Sequence, residues 1–488
     1  VNITIIDGLE SITGVGDTAV QKIVADITSR SGLDDTWAGM DADERVKAVI
    51  AWKRIISDVV SHSVLSPEDT AMLQALYSRS PALVADHLMK VRQVGSGKFM
   101  DRYYRGYGHA SIGDCGTTSI FIEDVPMLTA KAIQDWPLYS GQEASTRYMD
   151  FSNARISDPV GSVDSARIQS MWMDFYLRAQ QPMLDHLRVT YLRAANEPDD
   201  VYERAIAARR FDVLRAFLPA GAHTNLSWHT NLRQASDHLA QLRRHPDWTV
   251  QVVANNIHDA LRERYPSSFD THEEITELVL WRKQLAHDTY EHPAFATGIA
   301  FRTDFDPELL VRYHALLALR PQRAVLPHYM GAIGTVRSAF LLDFGSFRDL
   351  QRHRNGVVRM PLLTPEEGFH GWYLEQMPAS LREQAMDLLE DQIDAIRQLS
   401  TSDVLRQHYT ALGFRVRCEV TQPLPAFLYR IELRTGQSVH PTLRRVAREE
   451  ARAFAAEYSW IALHADMSED TWDIRRGKQT LIEKGVTS

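Results

Sequence analysis

SGQEASTRYMDF, residues 140–151, sets Glu143, Ser145, Arg147 and Tyr148 in one short polar run between apolar segments. The run reads as half of an anion site, with a guanidinium and a hydroxyl to donate hydrogen bonds and a carboxylate to order them. A matching basic stretch lies far downstream: RDLQRHRNGVVRMP, 348–361, carries Arg352-His353-Arg354 just after a strand-like segment. Arginine suits phosphate because its planar fork makes paired, charge-assisted hydrogen bonds. Taken alone, such a triplet reads as a solvated basic loop.

Working outward, the pattern is mainly helical. Residues 163–194 carry Ile168, Met171, Phe175, Ala179, Met183, Leu187 and Tyr191 at steps of three and four, one apolar helix face with Ser162 as N-cap. Residues 441–461 repeat the pattern with Val446, Ala447, Ala451, Phe454, Tyr458 and Ile461. TTSIFIEDV at 117–125 and RSAFLLDF at 337–344 read as strands. The two halves echo one another. YGHASIG (107–113) precedes the first strand and YMGAIGT (329–335) the second, and later segments of both halves end in His-Pro. A diverged internal duplication is expected, with repeats at 66–290 and 291–488, packed together because no Pro/Gly-rich linker parts them. Residues 1–65 are expected to be an added helical extension.

Composition narrows the class. The chain has 488 residues, 44% hydrophobic and 24% charged, an ordinary globular balance. Its two cysteines, Cys115 and Cys418, give no disulfide framework and no cysteine zinc site, and no metal site is expected. No signal peptide and no spanning segment are legible, so a reduced cytoplasmic setting without a membrane partner is expected. A net charge of −9 argues against a nucleic-acid surface but leaves room for a local arginine pocket that takes a small anion.

Other residues carry weaker signals. Arg215 in VLRAFLP has apolar neighbours and is more often paired with a core carboxylate than with a ligand. Asn231 and Arg233 in HTNLRQ have donors suited to a cofactor, and His109 in GYGHASIGD follows two glycines. No dinucleotide or phosphate-loop glycine motif appears, and neither cysteine has a readable catalytic partner.

Together these stretches resemble the flavin-dependent thymidylate synthase family, whose signature runs Arg-His-Arg, a short spacer, then Glu-x-Ser-x-Arg-Tyr. Here the signature is split. QEASTRY keeps the second part, but Asp135-Trp136-Pro137 stands where Arg-His-Arg should precede it. Arg352-His353-Arg354 keeps the first part, but MPLLT (360–364) follows it. The family's Gly-His-x-Ser/Thr element appears as Gly108-His109-Ala110-Ser111, with Asp114 where Glu is usual; Met330 takes the histidine position in the second half. Arg215 to Pro219, WHTNLR (228–233) and Arg434 in IELRTG match further family elements. Asp349 stands at a family Gln and Asp237 at a family Asn.

The resemblance implies an α+β fold: two diverged repeats, each with helices around a small antiparallel or mixed sheet, forming a pseudo-dimer within one chain. It implies an FAD-dependent methyltransferase moving a one-carbon unit from methylenetetrahydrofolate, with NADPH as reductant, to C5 of a pyrimidine nucleotide, dUMP first. Glu143, Ser145, Arg147, Arg215, Arg352 and Arg434 would hold the nucleotide, with Glu143, Ser145, Arg147 and Arg352 nearest the chemistry. His109, Ser111, Asp114, Asn231, Arg233, Arg352, His353 and Arg354 would face the flavin. A homodimer would reproduce the family's tetramer. Alternatives are a specialised C5-modifying enzyme acting on UMP or another pyrimidine nucleotide, and a non-catalytic binding relic.

Overall fold

The computed structural model describes residues 1–6, 41, 65–81, 83–147, 149–269, 276–288, 290 and 298–470. Two antiparallel sheets organise them. β1 (Asn2–Ile6), β2 (Thr117–Pro126) and β3 (His223–Asn231) lie side by side in that order. β4 (Ala300–Phe305), β5 (Gly334–Asp343), β6 (Val357–Arg359) and β7 (Arg415–Pro423) form the second sheet in the order β4-β5-β7-β6. Strand periodicity decides what faces inward: along β7, Val416, Cys418, Val420 and Gln422 are buried while their neighbours are half-exposed. In the first sheet Ile120 faces Trp228 and Ile122 faces Leu226, all buried.

Both expected strands are present, β5 starting earlier at Gly334. The first expected helix is α2 below, which stops at Thr190; the second is α9, which stops at Glu457. The helices that matter here are α1 (Met127–Gln134), α2 (Val163–Thr190), α3 (Asp199–Leu214), α4 (Leu232–Leu242), α5 (Trp248–Arg264), α6 (Phe344–Leu350), α7 (Ala379–Gln398), α8 (Leu424–Arg434) and α9 (Pro441–Glu457). Ser162 caps α2 as the sequence suggests. Its hydroxyl accepts from the Ser165 amide, and the Ser165 hydroxyl accepts in return from the Ser162 amide.

One expectation fails. Residues 1–65 do not begin as a helical extension: Asn2–Ile6 is a strand, paired antiparallel with β2 from Asn2 opposite Glu123 to Ile6 opposite Ser119. Its Ile and Thr side chains are β-branched and fit a pleated, half-buried surface. Apart from Asp41, residues 7–64 lie outside the described residues.

The order of elements recurs. A 3-10 turn (Ala110–Cys115) leads into β2, α1, the long α2, α3, a second 3-10 turn (Arg215–Phe217), β3, α4 and α5. Another 3-10 turn (His328–Ile333) leads into β5, α6, then β6 and a short helix (Gly371–Glu375) as additions, the long α7, a short helix (Asp403–Arg406), a 3-10 turn (Gln407–Tyr409), β7, α8 and α9. Each series has an apolar core of its own, one around Trp228 and Ile257, the other around Phe427 and Phe454. A third core is shared, with Trp172, Phe175 and Phe217 packed against Tyr373, Tyr409 and Phe414. The indole N–H of Trp172 donates to the Tyr409 carbonyl at 2.8 Å, so even the buried polar atom is satisfied across the divide.

The backbone junction in this core is reciprocal. The Ala220 amide donates to the Thr410 carbonyl and the Leu412 amide to the Leu218 carbonyl, both at 2.9 Å. The Gly221 amide donates to the His408 carbonyl at 2.9 Å and the Gly413 amide to the Ala216 carbonyl at 2.8 Å. Each bond turns into its mate when the two segments exchange places at one constant offset, the self-complementary pattern of a two-fold contact. Glycine is required for this approach. A Cβ at Gly413 would meet the Phe369 ring at 2.4 Å and Ala216 at 2.8 Å.

Candidate functional site: an arginine cradle shared by both halves

Three short structural facts bring the split motif together. First, the 140–151 loop runs along β3: Ser140 bridges His229 and Glu143 bridges Leu226. Second, α3 ends at the shared core, so that Asp212 and Arg215 project from its end. Third, α6 starts beside them, capped by Asp343, whose carboxylate accepts from the Ser346 amide at 2.9 Å.

The loop and α6 are clasped by an ion pair that sequence reasoning missed. Arg348 grips Glu143 through Nη2 to Oε1 and through Nε to Oε2 at 3.3 Å. Its Nη1 also donates to the Thr146 hydroxyl at 3.1 Å, and Nη2 to the Ala144 carbonyl at 3.0 Å. Gln134 adds a hydrogen bond to Glu143 Oε2 at 2.8 Å. Both ionic side chains are more than nine-tenths buried. Ser145 accepts from the Arg147 amide at 3.3 Å, closing the turn that presents the Arg147 side chain. Tyr148 lies outside the described residues.

Arg147 then points at two acids. Its Nε donates to Asp212 Oδ1 at 2.8 Å, and its Nη1 lies 3.7 Å from Asp349 Oδ2. Arg352 reaches the same carboxylate, Nη2 to Oδ1 at 3.6 Å. Arg434, at the end of α8, donates to the Asp349 carbonyl at 2.6 Å and to His353 Nε2 at 2.7 Å. Arg215 is 2% exposed; its Nη2 donates to the Ser346 hydroxyl at 3.1 Å, and its Nε is buried with no partner. Arg147 and Arg215 from one half thus meet Arg352 and Arg434 from the other, with Asp349 among them.

The electrostatics follow. Burial disfavours a charged Asp349 carboxyl, but the guanidiniums of Arg147, Arg352, Arg434 and Arg215 outweigh it and hold its pKa below the ordinary value. Burial also opposes charge on Arg215, yet the Tyr373 hydroxyl and the carboxylates of Asp343, Asp212 and Asp349 keep its pKa raised. Burial, then the charges of Arg434 and Arg430, push His353 well below its usual value. It is a neutral imidazole, which is what accepting a hydrogen bond from Arg434 demands.

Beside the cradle, Arg352, His353, Arg354 and Asn355 line a cavity of about 830 Å³ together with Tyr329, Pro423 and Tyr429. The Nε of Arg354 is buried without a partner, and its guanidinium lies 4.7 Å from the centre of the Tyr139 ring.

The remaining expected residues form a separate group on the three-stranded sheet. Arg233 holds Asp114, Nε to Oδ1 at 2.8 Å and Nη2 to Oδ2 at 2.7 Å. The Asn231 side chain accepts from the Gln234 amide at 2.8 Å as the N-cap of α4. His109 is exposed and stacks on the Tyr103 and Tyr107 rings, and Ser111 is exposed beside it. Among the described residues, no hydrogen bond or ion pair joins this group to Arg352, His353 or Arg354.

The stretches where the resemblance would put the missing motif parts hold packed side chains. Trp136 stacks on His238 with ring centroids 4.6 Å apart and donates to Gln234 at 2.9 Å. Met360 and Leu363 are buried in the shared core. Burial raises the pKa of both cysteine thiols, so neither is a ready thiolate. Among the described residues no cluster of three metal-ligating side chains occurs.

A chain whose separated signature pieces converge in this way resembles the family to which that signature belongs. The family model described as thymidylate synthase complementing protein matches residues 58–267. Arg352, His353, Arg354 and Arg434 lie outside that segment. The chain is also similar to a UPF0159 protein of Chlamydia pneumoniae, 22% identical over 409 residues, covering 72% of this chain and 76% of the relative. A UPF0159 protein of Chlamydia muridarum is 23% identical over 461 residues, covering 79% and 84%. Spans of that size cannot fit within residues 58–267, so both alignments continue into the second half. A solved structure of thymidylate synthase X from Helicobacter pylori, with FAD and dUMP, is 16% identical and covers 42% of this chain and 96% of that one, with a TM-score of 0.25.

Proposed function

We propose that the protein is a flavin-dependent transferase that methylates C5 of a pyrimidine nucleotide, with dUMP as the first acceptor to test. The observation that supports this most is the meeting of Arg147 and Arg215 with Arg352 and Arg434 around one point. In this reading the chain is a tandem duplication, with repeats at 66–290 and 291–488, and each repeat has kept the share of the site the other lost. Methylenetetrahydrofolate and NADPH would be co-substrates, and the setting cytoplasmic.

The residues present fit a flavin. A cavity lined by both guanidiniums and aromatic rings suits a planar ring with a phosphate tail, and the unpartnered Arg354 Nε is a donor awaiting an acceptor. Arg352, His353, Arg354 and Asn355 would hold it. His109, Ser111, Asp114, Asn231 and Arg233 would reach it from a second copy of the chain, making a homodimer. When bound, the flavin supplies the hydride that reduces the transferred carbon. The protein's own share is positional and electrostatic. Arg147, Arg215, Arg352 and Arg434 bind the nucleotide and stabilise negative charge as it develops on the activated base. Ser145 fixes the turn carrying Arg147, Glu143 fixes Arg348, and neutral His353 orients Arg434.

Purified protein tests this directly. Flavin absorbance against protein concentration should give one flavin per chain and two per homodimer, and calorimetry should detect dUMP, UMP or dCMP. No flavin and no nucleotide affinity would leave a relic. Two tightly bound flavins per chain would refute the split site.

A further inference from the structure

Asp349 is out of place in a site meant to attract phosphate. Its side chain is 14% exposed and lies 3.7 Å from Arg147 Nη1 and 3.6 Å from Arg352 Nη2, while its own backbone carbonyl receives Arg434. Arg147 also spends its Nε on Asp212, and Asp343 sits behind Arg215 at the cap of α6. Three acids therefore answer the four guanidiniums of the cradle. Asp212 and Asp343 are anchored, one by the Arg147 fork and the other by the Tyr373 hydroxyl at 2.7 Å and the Ser346 amide. Asp349 differs from them. Its contacts with Arg147 and Arg352 are longer than hydrogen bonds, so it sits between the guanidiniums without being locked to either.

We propose that Asp349 is a resident anion of the arginine cradle that competes with the ligand's phosphate and so sets how much negative charge a ligand can bring. The inference rests on the nucleotide reading of this site and deepens it. A phosphomonoester dianion that enters must share Arg147 and Arg352 with a carboxylate already there, and like charges at such range repel. A nucleoside meets no such penalty. Asp349 thus narrows the preference for nucleotide over nucleoside that four unopposed arginines would give. Arg352 is the exposed member of the set and the one able to swing between carboxylate and phosphate.

The test compares the full chain with Asp349→Asn and Asp349→Glu by calorimetry, using dUMP, deoxyuridine and inorganic phosphate. Asn keeps the shape and removes the charge. Asp349→Asn should tighten dUMP and inorganic phosphate tenfold or more and leave deoxyuridine within about twofold, while Asp349→Glu should not tighten either anion. Thermal unfolding and flavin absorbance of each variant report whether the cradle is intact. Equal or weaker dUMP and phosphate binding by a folded Asp349→Asn variant would overturn the inference and make the aspartate an organiser of the arginines. The inorganic phosphate arm separates the two readings. Tightened phosphate with no nucleotide binding keeps the competing anion and sinks the pyrimidine function; dUMP bound equally by both proteins does the reverse.

Discussion

Removing Glu143 should be among the most damaging single changes near the cradle. Glu143→Ala would leave the Arg348 guanidinium buried, keeping only its bonds to Thr146 and the Ala144 carbonyl. Breaking a buried pair by deleting one partner costs about 3–5 kcal/mol, because the surviving charge has lost both water and counter-ion. A well-folded domain holds only about 5–15 kcal/mol in total, so the denaturation midpoint should fall visibly. Arg348→Met should cost a similar amount, but the double variant much less than the sum, since no charge is then stranded. Urea unfolding of the four proteins at pH 7 gives the coupling directly. The clasp also holds the turn that aims Arg147, so nucleotide affinity measured on folded Glu143→Ala should drop as well. If each single variant lost under about 1 kcal/mol and the costs simply added, the clasp would be a surface-like pair and the reasoning would fail.

Arg352→Ala should weaken nucleotide binding ten- to hundredfold, the scale of about 1.5–3 kcal/mol for a charge-assisted hydrogen bond, with stability nearly unchanged because the side chain is exposed. Arg147→Ala should weaken binding similarly and also destabilise, since it removes a 2.8 Å ion pair to the buried Asp212; calorimetry beside thermal melts would show the reasoning wrong if the two variants behaved alike. Burial holds the His238 pKa at about 4 against an ordinary 6.5. The unfolded chain therefore takes up a proton that the native chain refuses, and stability is full above pH 6.5 and falls toward pH 4, by about 3 kcal/mol at about 1.36 per unit. His238→Gln lacks this term, so its stability deficit should shrink between pH 7 and 5; a constant deficit in urea midpoints would exclude His238 as a source of acid sensitivity.

Much of the fold was legible because periodicity speaks locally. The α2 stripe and its Ser162 cap, and the short apolar runs of β2 and β5, need no knowledge of the rest of the chain. The edge strand Asn2–Ile6 was not legible, since five residues carry too little pattern to separate a sheet edge from a helix start. The cradle arginines were found through the split motif. Arg348 escaped because nothing in FRDLQ says that its partner is Glu143, from the other half of the chain. Asp212 escaped for a similar reason: in RRFDVLRAF it reads as one more polar residue on a helix, and only the fold turns it toward Arg147.

The reciprocal backbone bonds at Ala216–Gly221 and His408–Gly413 have a consequence for dilution. Where two separate subunits meet at such a seam, its occupancy depends on their concentration and a site astride it comes apart as the solution thins. Here both sides of the seam are on one chain, and the local concentration of one for the other is fixed by the polypeptide between them. The meeting of Arg147 with Arg352 is thereby a unimolecular property, as complete in one isolated chain as in a crowd.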